Sequence, residues 1–79
     1  MRVKVRLSAT LVNYVPGANP GISFEVELPQ GATLAGLMNQ LNLPQKEVKV
    51  AFVNGRIEPV DFLLQHGDEV GIFPPIGGG

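Results

Sequence analysis

One stretch of the chain has the apolar spacing of a helix, and the stretches around it alternate with the period of strands. The stripe lies at positions i, i+3, i+4 and i+7, which place it on one face of an α-helix. It consists of Leu34, Leu37, Met38 and Leu41. Thr33 is placed to cap the first turn, and Leu43–Pro44 ends the helix because the residue before a proline avoids helical geometry. A single helix covers one face of one sheet, so the sequence predicts a helix packed on a sheet.

The first half of the chain predicts an antiparallel hairpin. Apolar residues alternate with basic ones in Val3–Leu7, and with acidic ones in Ile22–Leu28. Leu11 and Val12 could extend the first strand, and the Pro- and Gly-rich segment 13–21 reads as a loop. Opposite charges facing each other across the hairpin would stabilise it.

The basic residues of the first strand allow two interpretations. Arg2, Lys4 and Arg6 point to the same face of a strand, because its side chains alternate. They could form a docking stripe for an acidic partner, or they could be the solvated face of the strand.

The second half of the chain predicts further strands and turns. Asn54–Gly55 is a strong signal for a two-residue hairpin turn. The residues that follow it would form a short return strand, then one helical turn, then a turn in which Asp68 satisfies backbone groups, then a last strand. The predicted segments are Val48–Val53, Arg56–Ile57, Asp61–Leu64, Gln65–Asp68 and Glu69–Phe73. We therefore expect an α+β fold, with a mixed four- to five-stranded sheet and one main helix on one face.

Phe73 is expected on the face of the sheet opposite the helix. Val70 and Ile72 alternate with it in the last strand, so if they face the helix, Phe73 faces the other way. Exposed there, it would be a docking anchor, since large aromatics often dominate interface energetics. The alternatives are packing under the loop 13–21 or against Ile57.

Composition and charge exclude several classes of function. With 79 residues the chain has room for one domain. A net charge of −1 offers no electrostatic attraction for nucleic acid or a membrane surface. Cysteine is absent, which excludes disulfides, thiolate metal sites and a thiol nucleophile. No signal peptide or spanning segment is evident, and we expect a cytoplasmic protein.

Catalytic constellations are largely missing, and no metal ligand cluster is evident. His66 is the only histidine and falls in a turn, with no nucleophile-elbow spacing around Ser8 or Ser23. Whether the chain is an enzyme is therefore left uncertain by its side chains. The best chemical candidate is the carboxylate of Gly79, which is unreactive at neutral pH until a partner activates it.

The chain ends in a narrow segment that has almost no side chains. Residues 1–75 form the predicted domain, and residues 76–79 a flexible tail that contains three glycines. Glycine has no side chain to pack, and such an end is usually ordered only by a partner. Extended, Pro75–Gly79 would reach about 17 Å from the domain. The tail could deliver its carboxylate into another protein's active site, or it could be a frayed end or a cloning remnant.

Three motifs together closely resemble the MoaD/ThiS family of ubiquitin-like sulfur carriers. They are Val53–Gly55, His66–Val70 and the ending Phe73–Gly79. The resemblance covers the whole chain and is strongest to the MoaD branch, the molybdopterin synthase small subunits, whose members commonly end in Phe-Pro-Pro-Val-x-Gly-Gly. It implies a ubiquitin-like β-grasp fold.

The resemblance also implies a function for the tail. An E1-like adenylating enzyme, which supplies ATP and magnesium, would activate the Gly79 carboxylate, and a sulfur donor protein would convert it to a thiocarboxylate. The molybdopterin synthase large subunit would then receive the tail, with Gly78 and Gly79 matching the family's diglycine and Gly77 its variable position. The carrier itself would bind no cofactor. The residues implied in partner docking are Phe73, Pro74, Pro75, Ile76 and Ile57.

Other products and one other class of function remain open. The same chemistry could serve thiamine, tRNA thiolation or another metabolite, and a ubiquitin-like protein modifier or a plain binding module is the alternative class. Many MoaD members carry an aromatic–Ala stretch and then an Arg after the first strand, where this chain has Leu7–Leu11. The matching activating enzyme and synthase are therefore not fixed by the resemblance.

Overall fold

The sheet of the computed structural model, which describes residues 1–75, contains five strands in the order β2-β1-β5-β3-β4. The central pair β1 and β5 is parallel, and all other neighbours are antiparallel. The one α-helix, α1, lies between β2 and β3 in the chain. The bounds are β1 Arg2–Leu7, β2 Phe24–Glu27, α1 Leu34–Gln40, β3 Val50–Val53, β4 Arg56–Ile57 and β5 Glu69–Phe73. The mixed five-stranded sheet with one main helix confirms the predicted α+β architecture.

One hydrophobic core lies between α1 and the sheet. Every second residue of β1 is buried, and Leu34, Leu37 and Met38 of α1 contribute the helical stripe. The core also takes Ala51 and Val53 from β3, and further residues from β2, β5 and the loops. The opposite face of the sheet has no helix among the described residues, and we call it the open face.

The charged hairpin of β1 and β2 forms as predicted. The guanidinium group of Arg2 contacts the Glu27 carboxylate through Nη2 at 2.8 Å and Nε at 2.9 Å. Its Nη1 atom lies 3.7 Å from Oε1 of Glu25. The hydrogen bond to Glu27, with the negative charges of Glu27 and Glu25, holds the pKa of Arg2 above its usual value. These pairs are exposed, so they add little to the stability of the hairpin.

The helix begins and ends close to the predicted positions. Thr33 Oγ1 accepts a hydrogen bond from the backbone N–H of Gly36 at 3.1 Å, which confirms the predicted N-cap. Helical geometry ends at Gln40, and the predicted stripe residue Leu41 forms the C-cap. Leu43, just before Pro44, turns into the core.

Two predictions for the first half were wrong. Leu11 and Val12 do not extend β1, because Ala9 adopts a left-handed backbone (φ 52°) and the chain enters a 3₁₀-helix, Ala9–Tyr14. Leu11 reaches the core from this helix. Ile22 alternates like a strand residue but lies in a turn, where its N–H bonds to Asn19 and its side chain is 61% exposed.

Two further predictions failed in the second half. Asp61–Leu64 forms no helical turn, because the backbone N–H of Leu64 bonds to Ala32 and Leu63 forms an isolated bridge with Thr33. The third strand begins at Val50, since the chain before it forms a short 3₁₀-helix, Gln45–Glu47.

The Asn54–Gly55 hairpin turn is confirmed and is tied to a second turn. Both residues have positive φ, 52° and 85°, as a two-residue turn of this type requires. The Asn54 side chain donates to Asp68 Oδ1 and accepts from the N–H of Glu69, each at 2.9 Å. Asp68 Oδ2 in turn accepts from the N–H of Gln65 at 2.8 Å, so Asp68 satisfies turn backbone as predicted.

We expect Asn54→Gly and Asn54→Ala to separate the two roles of this residue. The glycine variant keeps the left-handed backbone and loses two side-chain hydrogen bonds, which should lower the free energy of unfolding by about 1–2 kcal/mol. The alanine variant should lose about 1 kcal/mol more, because alanine disfavours positive φ. Urea unfolding measures both, and equal losses in the two variants would show that the backbone conformation contributes nothing.

Candidate functional site

The open face of the sheet divides into a charged half and an apolar half. The charged half is built by β1 and β2, with Glu69 of β5 beside them. The apolar half is built by the ends of β3, β4 and β5. Its members are Val50, Phe52, Ile57 and Phe73. Side chains of this half lie next to the point where the chain leaves the sheet toward its C-terminus.

Phe73 lies on the open face, as its alternation with Val70 and Ile72 predicted. Its ring packs edge-on against Phe52, with centroids 5.5 Å apart and an interplanar angle of 80°. Neither proposed alternative, the loop 13–21 or Ile57, provides this ring contact. Phe73 remains 37% exposed, so the pair is a partly exposed aromatic surface of the kind that partners use.

Gly71 makes room for this aromatic pair. It lies opposite Phe52 in the register and is itself buried. A Cβ atom at this position would lie 3.4 Å from Cε1 of the Phe73 ring. The Phe73 ring therefore packs over Gly71.

A cavity of about 450 Å³ adjoins the Phe52–Phe73 pair at the end of the sheet. Its lining combines two small residues, Ser8 and Ala9, with mostly apolar ones. The residues that line it are Ser8, Ala9, Lys49, Val50, Phe52, Phe73, Pro74 and Pro75. The segment where the chain departs from the common MoaD pattern thus lies beside the two prolines.

The chain leaves the sheet from a strand that is held on both sides. β5 lies between β1 and β3, and its last carbonyls are still bonded, Ile72 to the N–H of Ser8 at 3.2 Å and Phe73 to the N–H of Lys49 at 2.9 Å. Pro74 and Pro75 follow directly. The sheet therefore holds the chain in place up to Phe73, two residues before the end of the domain.

The structure describes four of the eight proposed site residues. Phe73, Pro74 and Pro75 come together around the cavity. Ile57 lies farther along the open face, opposite Phe52 on edge strand β4, and is 65% exposed. The remaining proposed residues, Ile76, Gly77, Gly78 and Gly79, lie outside the described residues.

Sequence reasoning missed Phe52 and the small residues of the cavity wall. The alternation in β3 indicates that Phe52 faces away from Ala51 and Val53. Its neighbour on the adjacent strand cannot be read from alternation, however, because β3 pairs with a strand that follows it by more than ten residues.

The described residues offer little catalytic chemistry of their own. His66 Nδ1 accepts a hydrogen bond from the backbone N–H of Arg2 at 3.0 Å, so its ring links the turn Gln65–Asp68 to β1. Within residues 1–75, no three His, Asp or Glu side chains are grouped to hold a metal ion. No helix in this part of the chain is long and apolar enough to cross a membrane.

Solved structures similar to this chain share its whole length. SAMP1 of Haloferax volcanii has a TM-score of 0.75 at 21% identity, with both chains covered completely. A candidate subunit 1 of molybdopterin converting factor from Pyrococcus furiosus has a TM-score of 0.74 at 30% identity, over 96% of this chain and 99% of that one. A chain in the complex of subunits 1 and 2 of molybdopterin-converting factor from Helicobacter pylori has a TM-score of 0.61 at 22% identity, with both chains covered completely.

These similarities confirm the ubiquitin-like β-grasp fold. No curated protein matches the chain at a significant level. The model of the ThiS family matches residues 5–79, which is nearly the whole sequence. Together with the Pyrococcus furiosus relative, this match confirms the resemblance that the C-terminal motif indicated, and the chain belongs to the ThiS family.

Proposed function

We propose that the chain carries sulfur on its C-terminal carboxylate for the synthesis of molybdopterin, the organic part of the molybdenum and tungsten cofactors. The Gly79 carboxylate attacks the α-phosphate of ATP, pyrophosphate leaves, and an acyl adenylate forms. A sulfur donor protein then supplies a sulfide equivalent, which displaces AMP and leaves a thiocarboxylate. The synthase large subunit receives the tail, sulfur passes to a pterin precursor, and water restores the carboxylate.

The chain itself supplies the body and the tail in this scheme. ATP and magnesium are bound by the E1-like adenylating enzyme, and the reacting pterin by the large subunit. A terminus without side chains suits a narrow channel, since Gly77, Gly78 and Gly79 have no Cβ atoms. The absence of cysteine is compatible with this route, because the sulfur is carried on the terminus.

The observation that carries the proposal is the position of the two prolines that precede the tail. Pro74 and Pro75 leave the end of a central strand, directly beside the exposed Phe52–Phe73 pair. A partner that covers this apolar surface is thereby positioned to receive the tail. The molybdopterin pathway is supported by the name of the Pyrococcus furiosus relative at 30% identity.

A second candidate function, modification of other proteins, is favoured by one specific similarity. SAMP1, by its name a small archaeal modifier protein, matches this chain from end to end. The first step would be the same adenylate, but a lysine amine would displace AMP and form an isopeptide bond. Carriers for thiamine, tRNA thiolation or another metabolite would differ only in the acceptor of sulfur.

Intact-mass measurement of the protein from its own cells tests the proposal. A mass gain equal to the replacement of one oxygen by sulfur supports the carrier, and isopeptide conjugates support the modifier. Sulfur transfer to a pterin precursor, reconstituted with the large subunit of the same organism, distinguishes molybdopterin from other products. Thiocarboxylate without pterin sulfuration would contradict the pathway and leave the carrier chemistry intact.

Phe73→Ala is expected to weaken partner binding more than it destabilises the monomer. The variant loses an edge-to-face pair worth about 0.5–1.5 kcal/mol in the monomer, but an aromatic anchor in an interface commonly contributes about 2 kcal/mol or more. Calorimetry with the large subunit, paired with urea unfolding, measures both changes.

The matched control is Phe24→Ala. Phe24 is half-buried on β2 and packs against the core, so its loss should lower the free energy of unfolding and leave the affinity of the folded protein unchanged. If Phe73→Ala behaves like Phe24→Ala, then Phe73 belongs to the core of the protein.

A further inference from the structure

Arg6, on the open face, has no acidic residue directly opposite it in the register of its neighbouring strands. Within residues 1–75 the ion pairs made by side-chain cations of this face all belong to Arg2. Lys4 lies between Glu25 and Glu69 in the register of its two neighbouring strands. Arg6 lies opposite Gly71, which has no side chain. Arg6 is therefore the β1 cation that has no acidic residue directly opposite it in the register of the described strands.

Arg6 borders a depression that reaches the aromatic pair. The depression has a volume of about 430 Å³. Gly71, which has no side chain, lies between Arg6 and Phe52 in the register, so the depression has a cation on one side and aromatic rings on the other. The far end is bordered by Lys4 and Glu69, and the Glu69 carboxylate there disfavours a second negative charge.

We propose that this depression binds an acidic side chain, flanked by a large apolar one, on the adenylating enzyme that activates the tail. The carboxylate contacts Arg6, whose guanidinium group can form two parallel hydrogen bonds with it. The apolar neighbour packs on the Phe52–Phe73 pair. This inference rests on the proposed function, since it assigns the partner by the chemistry of the tail.

Two observations favour an enzyme that handles the tail over other partners. The depression adjoins the segment that leads to the tail, because Phe73 both borders it and precedes Pro74 and Pro75. Nucleic acid is disfavoured, because the carboxylates of Glu25, Glu27 and Glu69 lie on the same face and the net charge is −1. An acidic patch on the enzyme would also steer the encounter of the two proteins.

The test is ATP–pyrophosphate exchange by the adenylating enzyme of the same organism, with the full-length chain as the varied substrate. Arg6→Glu should raise the KM for the chain by about tenfold or more, because like charges then meet across the interface. Arg6→Gln should raise it less. In both variants kcat should stay near the unmodified value, since the tail is unchanged, and the dependence of KM on salt should weaken.

Arg56→Glu is the matched control. Arg56 is also exposed, but it lies opposite Val53, a core-facing residue, on edge strand β4. Its reversal should change KM by less than about twofold if only the depression matters. Melting temperatures of all variants verify folding, and Arg6→Gln keeps the test valid if Arg6→Glu is unstable.

The outcomes separate this inference from the proposed function. If the unmodified chain supports exchange and Arg6→Glu shows the same KM and salt dependence, the inference fails and the carrier function stands. If the unmodified chain supports no exchange, both fail. Restoration of a low KM by a Glu→Arg or Asp→Arg change in the enzyme, only in combination with Arg6→Glu, would establish the contact.

Discussion

A chain that lacks Gly79 is expected to fold normally and to lose sulfur transfer by a factor of at least about 100, since a misplacement of about 1 Å can already cost that much. Removing one residue shortens the reach of the tail by about 3.5 Å. Because the sequence ends in three glycines, the shortened chain still ends in Gly-Gly. The deletion therefore tests the length of the tail and leaves the chemistry of its end unchanged.

The fold should tolerate this deletion because residues 1–75 already form a hydrophobic core. The buried core residues of the described chain all lie between Val3 and Ile72. The melting temperature should be nearly unchanged, and a large decrease would contradict a tail that acts apart from the domain. Sulfur transfer is measured with the adenylating enzyme, the sulfur donor and the large subunit together.

Gly77→Ala is the control for the deletion. It preserves the chain length and the final Gly78–Gly79, and it removes only the third glycine. If the length of the tail determines the rate of sulfur transfer, Gly77→Ala transfers sulfur at a rate near that of the unmodified chain, while the deletion does not. Equal activity of the deletion and the unmodified chain would show that the partner does not measure the reach of the tail.

The sequence predicted the fold correctly where a structural feature depends on residues that are close together in the chain. The Thr33 cap, the Asn54–Gly55 turn and the alternation of β1 and β5 each depend on residues within a few positions of one another. The prediction failed where a contact distant in sequence decides. The backbone of Leu64 bonds to Ala32, which outweighs the apolar run that suggested a helical turn.

The candidate site was predictable only in its parts. Alternation predicts that Phe73 leaves the core, and the motif identifies the residues that follow it. The pairing with Phe52 depends on the order of strands in the sheet, which places β5 between β1 and β3. The left-handed backbone of Ala9, which lines the cavity together with Pro74, has no signal in the sequence, because alanine rarely adopts it.

Ile72→Ala is expected to cause the largest loss of stability among simple substitutions near the site. Ile72 is fully buried on central strand β5, and truncation of a buried isoleucine costs about 2–5 kcal/mol because it leaves a cavity. A domain of this length has a free energy of unfolding of only about 4–12 kcal/mol. Urea unfolding should show the variant partly unfolded or close to it in the absence of denaturant.

Ile57→Ala is the matched control, because it removes the same atoms from a side chain that is 65% exposed. Its free energy of unfolding should change by less than about 0.5 kcal/mol. If Ile57 contacts the partner, its variant binds more weakly at full stability, whereas Ile72→Ala binds normally once it is folded. Excess partner should raise the melting temperature of Ile72→Ala, since binding to the native state stabilises it. Equal stability losses in the two variants would show that β4 packs far more tightly than its exposure indicates.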